Sequence, residues 1–428
     1  MGRGGNARQH TRTWMAVVVP LLVVILAAGG GAAAKSLNDR SGGSHAGHGR
    51  SVATTTTLGT TAAASATTKI HKPRHTTTST TSPSTTSPST TSSSATTTPP
   101  TTAPGSDLDV KIPLPGFGDM LVDEARGRVY ISGGKGTNSV VVTDLDGGNQ
   151  QTVGIGRGGG GMTLSPDGTK LYVALVDSDG IAIIDLATYA VDWYYVGTHD
   201  GVPTCPRDVA WAAGQLWFGW GCDNAPAGIG KVDPETRAYD LGMAHTDSRI
   251  VSAPLLATVP SQPNILIAGE TGTNPALLFR FEATPTQLNQ QVMSRTDGGS
   301  VRQLAVTPDG SQVIVPSGSP YYHPVLSTAD LTEVHQYPTT AYPNAAAVRS
   351  DGLVAAGSNA AYDKDVFIFE PGGSTPIATY EFGHLPDQET WAHTLVDGGL
   401  AWSGDRIYAV THILSEPDNV TLRIRTLG

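Results

Sequence analysis

Cysteine is nearly absent from this chain: Cys205 and Cys222 are the only two in 428 residues. Two thiols cannot build a zinc site alone, which makes a structural metal held through sulfur a poor expectation. No Gly-x-Ser-x-Gly elbow occurs, and neither does a His-x-His or His-Glu-x-x-His spacing. The common sequence signals of a serine hydrolase and of a zinc protease are therefore missing. Charge is sparse at 15%, with 27 Lys and Arg against 37 Asp and Glu, a formal balance of −10. A chain so balanced, with no basic stripe interleaved with aromatics, is a poor nucleic-acid binder. Helical periodicity is also lacking beyond Leu108, where short β-branched and aromatic runs alternate with glycine.

What is present divides the chain into three. Residues 1–34 hold a basic start (Arg3, Arg8, Arg12) and an apolar run from Trp14 to Ala34. Ala32-Ala33-Ala34 suits signal cleavage, while the run's length, roughly 20 residues, suits an uncleaved anchor. The basic flank places the N-terminus on the cytoplasmic side under either reading. Residues 35–107 are almost wholly Ser, Thr, Ala, Gly and Pro. Such a segment has too little apolar surface to offset the entropy of ordering and reads as a disordered stalk. A stalk is most useful with one end fixed, so the expectation is an extracytoplasmic protein, tethered to the membrane by its N-terminal segment or else secreted. O-linked sugar on the stalk and an Asn419-Val420-Thr421 sequon are patterns only, in a composition that suggests a bacterial chain.

Residues 108–428 are organised around Ser165 to Val191. Pro166-Asp167-Gly168 is a tight turn, Leu171 to Leu175 a strand, Asp177 to Gly180 a second turn, Ile181 to Asp185 a strand, and Val191 to Val196 another. Counterparts of the Leu171 strand stand at Tyr130, Trp217, Leu266, Ile314, Val354 and Tyr408. Their spacing, roughly 40 to 54 residues, is that of propeller blades. Seven units result, so the fold class is all-β, a seven-bladed β-propeller. The last unit runs out after three strands, while Asp109 to Leu114 stands ahead of the first unit without one of its own. The N-terminal strand is therefore expected to complete the last blade and remove the open edge.

The Ser165 unit resembles the YVTN-type propeller repeat through Pro166, Asp167, Gly168, Leu171, Tyr172, Val173, Ala174 and Asp185. The unit around Pro308-Asp309-Gly310 matches in part, and units three and four depart from the pattern at Ala213-Gly214 and Pro260 to Pro263. The resemblance implies an extracytoplasmic seven-bladed ring, a monomer in our reading, and carries little about ligand.

Cys205 and Cys222 are equidistant from the Ala213-Gly214 turn, which puts them opposite each other on paired strands, within reach of a disulfide. Ligand sites of propellers collect where the connections between blades and between the second and third strands emerge around the channel. The Gly154 to Gly161 run is one such connection, read as a flexible turn that widens the channel mouth. Arg207 and Arg302 begin the innermost strands of blades three and five and are expected to point toward the axis. Tyr321, Tyr322 and His323 fall in a predicted loop on that face, as do His384 and Trp391 in a long lid-like loop from Gly383 to Gly398. These are the candidate ligand contacts, with aromatic faces able to stack on sugar rings. Asp177-Ser178-Asp179-Gly180 has hard oxygens at alternate positions like the front of a calcium loop, but lacks the closing glutamate.

The leading expectation is a non-catalytic binding or scaffold ring for cell-wall carbohydrate or a surface protein, with no cofactor. The alternative is a propeller hydrolase or lyase, lactonase-like, with calcium, another divalent metal or a histidine at the channel mouth.

Overall fold

A computed structural model describes residues 107–223, 226–243, 249–360, 363–383, 393–413 and 416–428. The leader, the stalk, His384, Trp391 and most of the predicted lid lie outside the described residues. Within them, seven antiparallel four-stranded sheets form the blades of a propeller. We letter the strands a to d from the axis outward. Strands a are Asp119–Asp123, Gly159–Leu164, Pro206–Ala212, Leu255–Val259, Ala305–Val306, Pro343–Val348 and His393–Ser403. Each lies against the strand a of the next blade, and the last lies against the first, so the ring is closed. Among the described residues no helix is long and apolar enough to cross a membrane.

Closure uses the N-terminal strand as expected. Leu108–Lys111 forms strand d of blade seven, with Leu108 opposite Ile424 and Val110 opposite Leu422. Just beyond it, Ile112 and Leu114 are buried among Val410, Val420, Leu422 and Met120, which seals the seam between blades seven and one. Asp109 joins Arg423 and Arg425 across the same pairing, and these guanidiniums hold its carboxyl below the ordinary value against the opposing effect of burial.

The core is not one mass. Seven apolar clusters fill the seven seams between neighbouring blades. Strand b serves the seams on both sides of its blade, because its side chains alternate to opposite faces and both faces are covered. Leu171, Tyr172, Val173 and Ala174 are all buried; Leu171 and Val173 face blade one, whereas Tyr172 and Ala174 face blade three.

Candidate functional site

The a–b and c–d turns emerge on one face of the ring, and the b–c and d–a connections on the other. On the second face the starts of strands a and the ends of strands b surround a cavity of about 900 Å³ in the channel mouth. Its polar wall includes Asp119, Arg207, Asp208, Arg302 and Asp397, with Lys135 and His412 at the margin.

Irregular strands aim these groups. In blade three, Pro206 pairs with Trp220 and Asp208 with Gly219, so Arg207 is the extra residue of a bulge. In blade seven the register slips between Leu395 and Leu400, and the surplus residues carry Asp397 into the mouth. The glycine run is partly strand: Gly159, Gly160 and Gly161 begin strand a of blade two, and only Ile155 to Gly158 connects the blades. Their missing side chains have a specific use. A Cβ on Gly161 would strike the Asp208 carboxylate, and one on Gly160 would strike the Arg207 carbonyl.

Asp119, Asp208 and Gln303, at corresponding positions, and Asn344, a bulge residue like Arg207, each staple their own blade to the next. The Asp119 carboxylate accepts the Met120 and Met162 amides, both at 2.8 Å. The Asp208 carboxylate accepts those of Val209 at 2.9 Å and Leu256 at 2.8 Å. Gln303 Oε1 accepts the Ala346 amide at 2.7 Å, and Asn344 Nδ2 donates to the Leu395 carbonyl at 2.8 Å. Burial among these walls, with the charge of Asp208 adding to it, raises Asp119 to about 7 despite its two amide donors. Burial likewise raises Asp208 to about 6, with its two amide donors and Arg207 pulling the other way. Burial holds His412 below its ordinary value, opposed by Asp397.

The cations of the mouth differ in how they are compensated. Arg302 Nη1 lies 2.7 Å from Asp397 Oδ2, and Lys135 Nζ lies 3.5 Å from Asp223. Among the described residues the Arg207 guanidinium hydrogen-bonds only the Thr271 hydroxyl, at 3.5 Å. The Cys205–Cys222 disulfide, with Cα atoms 5.2 Å apart, forms the wall beside it.

Arg207 and Arg302 both line the cavity where the repeat predicted them. The two metal candidates are already engaged: Asp177 accepts the Gly136 amide at 2.7 Å, and Asp179 accepts those of Thr204 and Cys205 at 2.8 and 3.1 Å. Among the described residues no three His, Cys, Asp or Glu side chains form a metal-holding group. The loop predicted over Tyr321 to His323 ends earlier than expected, since Tyr322–Ser327 is strand c of blade five. His323 is fully buried there, its Nε2 3.0 Å from the Ala345 carbonyl, and burial lowers it to about 4. Alternation in that strand turns the ring into the seam between blades, away from ligand. Tyr322 is half-buried, whereas Tyr321 is 56% exposed and sits edge-on to Tyr342 at 6.0 Å, which is 52% exposed. The long loop also ends sooner, because His393 already belongs to strand a of blade seven.

Sequence reasoning missed Asp119, Asp208, Asp397, Lys135 and Tyr342. Asp119 and Asp208 carried a usable signal, since they occupy the same repeat position as Gln303. Asp397 carried a local one, since Asp397-Gly398-Gly399 lies within the slip and Gly398 stands at a φ of 72°, but it marks an irregularity and not the direction of the carboxylate.

No family model and no curated protein matches this sequence. Among solved structures, a chain of Kuenenia stuttgartiensis hydrazine synthase superposes with a TM-score of 0.56 at 16% identity, over 74% of this chain and 97% of that one. The likeness is one of fold. With 1471 solved chains matching in this way, it carries the propeller architecture and no reaction.

Proposed function

We propose that the ring is a non-catalytic binding module of the cell exterior, taking wall carbohydrate in the channel mouth. The carrying observation is a mouth of about 900 Å³ whose polar wall is held rigid by backbone staples and ion pairs. Pre-placed donors and acceptors suit a polyhydroxylated ligand, because little side-chain freedom is lost on binding. Tyr321 and Tyr342 add exposed rings on connections of the same face, where a sugar ring can stack. The apolar leader and the Ser/Thr/Pro segment support presentation outside the membrane, and the disulfide supports an oxidising compartment. Kinship with YVTN-type repeats belongs to the same reading and rests on the Ser165 unit. Glycan-array binding by the purified chain tests the proposal. Binding to wall saccharides that weakens at least about fivefold in Tyr321→Ala or Tyr342→Ala is expected, since a lost stacking contact is worth roughly 1 kcal/mol; an array without a saccharide hit overturns it.

One observation favours a second reading, a hydrolase or lyase. Asp119 and Asp208 titrate near neutrality and interact electrostatically, as an acid–base pair does. A divalent ion would belong to that reading as well. Turnover of wall polymers or lactones, abolished in both Asp119→Asn and Asp208→Asn and following a bell-shaped pH profile, would establish it. Substrate screens without turnover, together with equilibrium dialysis showing no stoichiometric metal, would remove it.

A further inference from the structure

Building on the saccharide reading, we propose that the mouth is selective for an anionic wall polymer, one of whose oxyanions, a carboxylate or a phosphodiester, is seated on Arg207. The argument begins with compensation. Arg302 and Lys135 each face an aspartate in the mouth, at 2.7 and 3.5 Å. Among the described residues no carboxylate forms an ion pair with Arg207, whose one hydrogen bond is the long contact to Thr271. The adjacent Asp208 does not serve, because its two oxygens accept backbone amides and point along the seams to blades two and four.

The backbone holds this guanidinium in place. Arg207 is a bulge residue, exposed to the cavity. Two residues before it, Cys205 is fixed by the disulfide; one residue after it, Asp208 is stapled to Leu256. Gly160 lets the Arg207 carbonyl pack against blade two, where any side chain would push it away. A planar cation presented from so constrained a segment suits a planar or tetrahedral oxyanion, which it can bind through two parallel N–H bonds. The acidic neighbours weaken this less than their number suggests. Asp397 and Asp223 are already paired, Asp177 and Asp208 accept amides, and Asp119 keeps its proton up to about 7.

Calorimetry on the purified full chain tests the inference with three probes: trigalacturonate, its uncharged counterpart galactotriose, and poly(glycerol phosphate). At pH 6.5, a value chosen below the Asp119 transition, wild-type protein is expected to bind at least one anionic probe about tenfold more tightly than galactotriose. Arg207→Gln should collapse that ratio toward one. Arg207→Lys, which keeps the charge and loses the fork, should fall between. Whichever anionic probe shows the Arg207-dependent preference identifies the source of the oxyanion. Equal affinity for charged and neutral sugars, or a preference that survives in Arg207→Gln, overturns the inference while leaving saccharide binding intact. Failure of all three probes to bind overturns both. Thermal unfolding of each variant checks that the ring is formed; should Arg207→Gln unfold, an unchanged preference in Arg207→Lys and in Thr271→Val counts against the inference.

Discussion

The two faces of the ring use aspartate in opposite ways. On the turn face, Asp167, Asp185, Asp233, Asp309 and Asp330 each accept backbone amides and, in most cases, a neighbouring hydroxyl of their own turn. Lying in solvent, they are held below the ordinary carboxylate value by those hydrogen bonds, Asp167 at about 2 through Ser165 and then Thr169. On the mouth face, Asp119 and Asp208 also accept two amides each, yet stand at about 7 and about 6. Hydrogen bonds to the charged form are present in both settings. What differs is desolvation, which outweighs two amide donors only where walls from several blades exclude water. The turn aspartates are properties of their own blade; the mouth aspartates exist as such only while the ring is closed.

Opening the ring is the strongest way to break that contrast. Deleting residues 107–114 removes Ile112 and Leu114, which are 0 and 2% exposed. At about 2 kcal/mol or more for each buried side chain, the loss, with the strand pairing added, approaches the whole stability of an ordinary domain. Denaturant titration should show a destabilised or multi-step transition. In any folded remainder, NMR should find Asp119 moving back toward the ordinary carboxylate value while Asp167 stays low. An unchanged midpoint would mean that the closing strand is dispensable.

A smaller break leaves the ring intact. Replacing Cys205 and Cys222 by serine releases the mouth wall beside Arg207 and, on the chain-entropy model, costs about 3 kcal/mol. Midpoint shifts in urea measure it. A loss under about 1 kcal/mol would show that the Ala213-Gly214 hairpin needs no covalent clasp.

The contrast also predicts opposite pH slopes. Because Asp119 is raised in the folded state to about 7, the folded protein holds more protons than the unfolded chain between roughly pH 4 and 7. Stability should therefore fall as pH rises through that window, and Asp208 should act likewise up to about 6. His323 works in the other direction. Lowered by burial to about 4, it leaves the unfolded chain binding more protons between about 4 and 6.5, so its contribution is lost as pH falls. His323→Gln should flatten the acid side of a stability profile, and Asp119→Asn the neutral side. Parallel curves for the three proteins would refute this assignment.

The smallest effect belongs to the turn face. Asp167→Asn should cost a small amount of stability above about pH 4, a cost that fades as pH falls toward about 2, where the native carboxylate loses its charge as well. Carboxyl NMR titration reads the same difference directly. A midpoint for Asp167 at or above its ordinary 3.8 would dissolve the comparison between the two faces.

How much of this was legible depended on range. Pro166-Asp167-Gly168 and Ala213-Gly214 announce turns through residues that set or permit their own φ, and Ala213 and Gly214 indeed stand at 51° and 73°. The alternating runs gave the strands, their count gave seven blades, and the orphan Asp109 to Leu114 segment gave the closure. His323 misled because a Tyr-Tyr-His triplet after Ser-Pro looks like loop, whereas pairing with Glu333 to Pro338 extends the strand back to Tyr322.

From its own residues the chain determined the repeat, the number of blades, the closing strand and the pairing of the two cysteines, since these follow from side-chain alternation and local backbone preference. The tertiary structure alone decided which charges meet. Arg302 and Asp397 are 95 residues apart in sequence, and Asp119 and Asp208 come from blades one and three. Desolvation and compensation at the mouth depend on register slips and on walls from several blades, and these arise only when distant strands converge on one axis.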